Sequence, residues 1–127
     1  MDKSNFIFKA SPYGSGTYMV ETEGFKIEIS EAYFSDEKIV FAEKLIAIYP
    51  TKLFDLARFC VQSDCFKECY PEETVATTME KLHFPTVKID NDGGIFTYCN
   101  HELDDNHLID VEFVGLMESF FSVNIDG

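Results

Sequence analysis

The chain has no tryptophan, no lysine or arginine after Lys88, and no apolar run approaching the roughly 20 residues that span a bilayer. Each absence excludes something. Without such a run there is no candidate membrane helix. The opening MDKSNFIFKASPYGSG carries no apolar stretch of signal-peptide length, so a cytoplasmic location is expected. No G-x-S-x-G elbow, Walker-type phosphate loop or dinucleotide fingerprint occurs, which disfavours an enzyme. Internal repeats, low-complexity tracts and linkers are also missing, and 127 residues suit a single domain, 1–127, whose core needs no staples. Ten cations stand against 23 carboxylates, a formal charge of −13. That balance argues against direct contact with nucleic acid or an anionic membrane, since phosphate binding needs a cationic footprint. A basic protein partner is the natural complement.

What is present is apolar and aromatic. The hydrophobic fraction is 46% and the aromatic fraction 15%, with 13 phenylalanines, as expected of a globular core rich in rings. The four cysteines, Cys60, Cys65, Cys69 and Cys99, read as reduced thiols in a protein with no export signal.

Periodicity orders the chain into strands, helices, then strands. Asn5–Ala10 is a short strand candidate, and Thr17–Thr22 with Phe25–Ser30 forms a hairpin around Glu23-Gly24. Phe25, Ile27 and Ile29 alternate with Lys26 and Glu28, so one face of the second arm is buried. Ser35 can cap a helix that runs to about Tyr49 with Ile39, Ala42, Leu45, Ile46 and Tyr49 inward. Pro50 is expected to end that helix and open a second, with Leu53, Phe54, Ala57, Cys60 and Val61 as its stripe, giving an αα-hairpin. A third helix is expected over Pro71–Leu82, with Val75, Met79 and Leu82 inward. A four-stranded meander follows: Val87–Ile89, a tight turn at Asn91-Asp92-Gly93-Gly94, Ile95–Asn100, then Ile109–Phe113 and Phe121–Ile125 joined near Gly115–Glu118. Phe121, Val123 and Ile125 alternate with Ser122 and Asn124 and so are assigned to the buried face. The fold class expected is α+β, a mainly antiparallel sheet with about three helices on one face.

Three patterns invite chemistry. Asp90-Asn91-Asp92-Gly93-Gly94 starts like a calcium loop, but the twelfth position is His101 where a glutamate is needed, so a hairpin turn is the better reading. Cys60, Cys65 and Cys69, with His83, Cys99 or His101 as a fourth ligand, match zinc spacing only in part. His101 and His107 flank Glu102, Asp104 and Asp105 and can titrate near neutrality, which leaves a small metal- or ligand-dependent enzyme as an alternative. A structural assembly domain, pairing through an exposed first strand, is another. Neither cofactor nor metal is expected on the leading reading.

That reading comes from charge distribution. Residues up to Lys88 hold 14 carboxylates and all ten cations, for −4, whereas the remaining 39 contribute −9. Asp110 and Glu112 project from one strand face, and Glu102, Asp104 and Asp105 sit in the loop before it. Like charges so concentrated cost stability, which points to a use for them.

A small, acidic, cysteine-tolerant α+β domain without a catalytic motif resembles the immunity proteins of bacterial contact-dependent growth inhibition and other polymorphic toxin systems. The cation-free tail carries the likeness, above all ELDDNHLIDVEF at Glu102–Phe113. The resemblance implies a non-enzymatic inhibitor that covers the active site or substrate groove of a cognate basic toxin domain, a nuclease in the usual case. The family has no shared signature, so the partner-binding set rests on the charge pattern: Glu102, Asp104, Asp105, Asp110 and Glu112, with Phe120 or Tyr98 as an aromatic anchor if either faces out.

Overall fold

The computed structural model describes all 127 residues, Met1–Gly127. Seven strands form one sheet in sequence order: β1 (Ile7–Ser11), β2 (Gly14–Thr22), β3 (Phe25–Ser30), β4 (Thr86–Ile89), β5 (Gly93–Tyr98), β6 (Leu108–Val114) and β7 (Ser119–Asp126). Every neighbouring pair is antiparallel except β3 and β4, which run parallel because the helical block lies between them. The fold is therefore the expected α+β class, a three-stranded and a four-stranded meander fused side by side. None of its helices is long and apolar enough to cross a membrane.

Alternation decides which face the helices cover. Phe25, Ile27, Ile29, Val87, Ile89, Phe96, Ile109, Val111 and Phe113 share one core with Ile39, Leu45, Leu56 and Cys60 of the first helix. The residues between them, including Lys26, Glu28, Lys88, Thr97, Asp110 and Glu112, line the opposite face, where no helix packs. Inside the core the hydroxyls of Tyr49 and Tyr98 bond to each other, and burial raises both phenol pKa values well above the ordinary range.

The helices differ in detail from the periodicity reading. A single helix, α1 (Asp36–Gln62), runs straight through Pro50. Ile46 and Tyr49 before the proline and Leu56, Ala57 and Cys60 after it lie on one continuous buried stripe, so burial outweighs the missing rung. Thr51 donates its hydroxyl to the Ile48 carbonyl at 2.6 Å beside the break. Leu56 takes the place assigned to Phe54, which is exposed and lies under the Arg58 guanidinium. The start is as expected: Ser35 Oγ accepts the Lys38 amide at 3.2 Å, with Asp36 and Glu37 in the first turn. A short α2 (Asp64–Cys69) follows, and α3 (Val75–Leu82) begins at a Thr74–Thr77 capping box, four residues later than Pro71 suggests. Glu73 is thus outside the helix, where it pairs with Lys81 and accepts the Thr77 hydroxyl at 2.9 Å.

Two turns close strand pairs at opposite ends of the sheet. The β2–β3 turn has positive φ at both Glu23 (51°) and Gly24 (90°), the pairing a two-residue hairpin needs. The glycines of the β4–β5 turn serve another purpose, because neither has positive φ. A Cβ on Gly93 would lie 2.1 Å from the Phe113 carbonyl oxygen, and one on Gly94 2.1 Å from that of Lys88. Only glycine allows these backbones to close. The Asp90 carboxylate accepts the amides of Asp92 (3.2 Å) and Gly93 (3.1 Å), a turn geometry rather than a calcium loop.

Candidate partner-binding face

Strand register assembles the acidic residues on the open face. In β6, Asp110 lies between Thr97 of β5 and Asn124 of β7, and Glu112 lies between Ile95 and Ser122. The Thr97 hydroxyl donates to Asp110 at 2.6 Å, and the Ser122 hydroxyl donates to Glu112 at 3.0 Å. These bonds hold both carboxylates upright without neutralising them. Asp126, opposite Leu108, is the diagonal neighbour of Asp110 and brings a third carboxylate to the same patch. Partial burial, then the nearby charges of Asp126 and Glu112, raise the Asp110 carboxyl above its ordinary pKa despite the Thr97 bond. No cation pairs with any of the three. Lys88 shares the Glu112 row but is two strands away, about 10 Å at ordinary strand spacing, which is close to a Debye length.

The loop between β5 and β6 uses its acids differently. Asp104 accepts the Tyr70 hydroxyl at 2.6 Å, His107 Nδ1 at 2.7 Å, and the amides of Asn106 and His107 at 3.2 and 3.1 Å. Burial alone would raise its carboxyl; the four donors outweigh this and hold it at about 2. Tyr70, desolvated and donating to that carboxylate, is raised in turn. His101 is buried, its Nδ1 accepting the Leu103 amide at 3.0 Å, so Nε2 carries the proton given to the His107 carbonyl at 2.7 Å. Both of its ring nitrogens are engaged in closing the loop. Glu102 projects outward with His83 Nε2 at 2.6 Å, and Asp105 is exposed with no bonded partner. Of the five acids picked out by charge pattern, Asp110 and Glu112 stand together, Glu102 is exposed but bonded to His83, Asp105 is free at the loop surface, and Asp104 is tied into the scaffold.

The proposed anchors fall elsewhere. Tyr98 is fully buried, and Phe120 is half-buried with its ring 5.6 Å from that of Phe59. A β-bulge shifts the β6–β7 register so that Phe113 faces Phe120 while Glu112 faces Ser122. Phe121 is the extra residue and is turned out, 74% exposed, against the period-two assignment that put it in the core. The cysteines do not converge: Cys60 is buried, its thiol pushed up to about 12 by desolvation, Cys65 donates to the Val123 carbonyl at 3.1 Å, and Cys69 and Cys99 are exposed. No three His, Cys, Asp or Glu side chains anywhere converge as a metal-binding group.

The class that these features define is an α+β sheet domain with one helix-covered face and one open face that is acidic at its β6–β7 end. No family model, curated protein or solved structure matches the chain.

Proposed function

We propose that the protein is an inhibitor of the immunity type, binding a basic toxin domain through the open end of its sheet and occupying the cations that domain uses for phosphate. The observation that carries this reading is the unpaired trio Asp110, Glu112 and Asp126 on a face without helices, with Asp105 and Glu102 on the adjoining loop. Hydroxyl bonds pre-orient two of the three, so little side-chain order is lost on binding. Charge of this kind accelerates encounter and selects the partner, while an apolar anchor supplies much of the affinity.

Affinity capture from the source cell at low and moderate salt, with mass spectrometry of the retained proteins, tests the reading. A stoichiometric basic protein that is lost as salt rises is expected. The double variant Asp110→Lys with Glu112→Lys should weaken retention by roughly a hundredfold or more while the domain keeps its circular dichroism spectrum. Retention of nothing at either salt, or of the same protein equally by the double variant, would reject it.

A further inference from the structure

At the end of the sheet where β4 turns into β5, an open cleft of about 380 Å³ runs between the Asp90–Gly94 turn, Tyr33 of the β3–α1 connection, and the Glu112–Val114 and Phe121 segments. Its walls combine two features seldom left in water together. Phe121 is 74% exposed, and Tyr33 and Val114 are 41% and 42% exposed, an apolar surface that no element of the chain covers. Around them stand the carboxylates of Asp90, Asp92 and Glu112, none in an ion pair. Lys38 gives its Nζ to the Asn91 carbonyl at 2.6 Å rather than to a carboxylate. Asp90 has one oxygen committed to the turn amides and Glu112 has one accepting from Ser122, which leaves an oxygen on each free. The bulge that puts Phe121 here also removes it from the core, where strand alternation would place it.

We infer that this cleft is the anchor site of the binding face and takes an arginine side chain presented by the basic partner. A planar guanidinium can lie on the Phe121 or Tyr33 ring while its N–H groups reach two carboxylates, and its weak hydration favours such a half-apolar seat over a lysine ammonium. Glu112 belongs both to this cleft and to the acidic row, which joins anchor and steering charges into one surface. The inference rests on the reading that a basic protein docks on this face, and it adds the residue type and the seat.

The test is a titration of the ¹⁵N-labelled full chain with acetyl-Gly-Arg-Gly-amide, using the citrulline peptide as an uncharged control of the same shape. Saturable shifts confined to Tyr33, Gly93, Glu112 and Phe121 are expected, with the citrulline peptide binding about tenfold more weakly. Phe121→Ala, at an exposed position, should weaken the arginine peptide roughly threefold or more, and Glu68→Gln, at an exposed acid of α2, should leave it unchanged. Shifts spread over all carboxylates, equal binding of citrulline, or indifference to Phe121→Ala would overturn the site. Capture separates the two ideas. A basic protein retained equally by the Phe121→Ala variant and lost by Asp110→Lys with Glu112→Lys upholds the inhibitor and rejects the cleft. Arginine binding at the cleft with no protein captured does the reverse.

Discussion

Asp104 shows how one carboxylate can be withdrawn from a charged surface and used as a brace. Its two oxygens gather Tyr70 from the end of α2, His107 from the far side of its own loop, and two loop amides, which fixes the β5–β6 connection against the helical layer. Because these donors lower its pKa from 3.8 to about 2, the folded state binds this proton less readily than the unfolded chain. The stabilisation is complete above about pH 4 and is lost as pH falls from there towards 2. An Asp104→Asn variant should be less stable than the parent at pH 7 by on the order of 1 kcal/mol, after allowance for solvent screening, with the gap closing as acid is added. Urea unfolding at a series of pH values measures this; a gap as wide near pH 2 as at pH 7 would mean that shape and not charge is at work. Nothing in the local pattern ELDDN separates Asp104 from Asp105. The distinction comes from Tyr70, 34 residues earlier, which the fold brings to one carboxylate and not the other.

At the scale of the element, α1 and β7 each break a local rule for the same reason. Pro50 removes one hydrogen bond from the middle of α1, yet the buried positions on both sides hold the helix to a single stripe against the sheet. Pro50 itself is exposed, so replacing it with alanine restores an N–H without disturbing packing. Pro50→Ala should therefore stabilise the domain by about 1–3 kcal/mol in chemical denaturation. A variant no more stable than the parent would show that the helix already compensates fully for the break. In β7 the bulge places Phe120 inward and Phe121 outward, and from there on Ser122, Val123 and Asn124 alternate as the pattern predicts. The alternation around Phe121 is legible in the sequence, but the position of the extra residue is not, since it depends on how β6 and β7 close on each other. β1 forms one edge of the sheet. β1 is wholly exposed, but it is short, carries Lys9, has a register irregularity between Lys9 and Ser11 and runs into Pro12, all devices that discourage pairing with another chain.

Across the whole molecule, charge is segregated along the chain and then again in space. Of the nine carboxylates in the last 39 residues, Asp110, Glu112 and Asp126 end up on the open side of β6 and β7, Glu102, Asp104 and Asp105 on the loop that leads into them, and Asp90, Asp92 and Glu118 in the turns at the opposite end of those strands. Partial burial first, and then repulsion from Asp126 and Glu112, raise the pKa of Asp110. Its proton is held more tightly in the folded state, so ionisation above that pKa takes stability away, and the loss persists at neutral pH. Asp110→Asn should accordingly raise the melting temperature at low salt, by an amount equivalent to a few tenths of a kcal/mol, and the advantage should fade as salt screens the patch. A benefit that survives high salt would point to desolvation alone. The same substitution should weaken partner capture, as expected where a surface keeps unfavourable charge for binding.

Some of this follows from residue order alone. The period-two runs at Phe25–Ile29 and Ile109–Phe113, the Ser35 cap and the Glu23-Gly24 turn specify the strands, the first helix and the hairpin, because each depends on neighbours within one turn or one strand. The cation-free tail likewise makes an acidic surface unavoidable. Tertiary structure alone decided that α1 continues through Pro50, that Gly93 and Gly94 admit the backbones of β6 and β4, that Asp104 serves Tyr70, and that Phe121 turns towards solvent beside Glu112. Each of these depends on contact between segments distant in the chain, where burial and close packing outweigh local preference by more than any single residue's propensity can oppose.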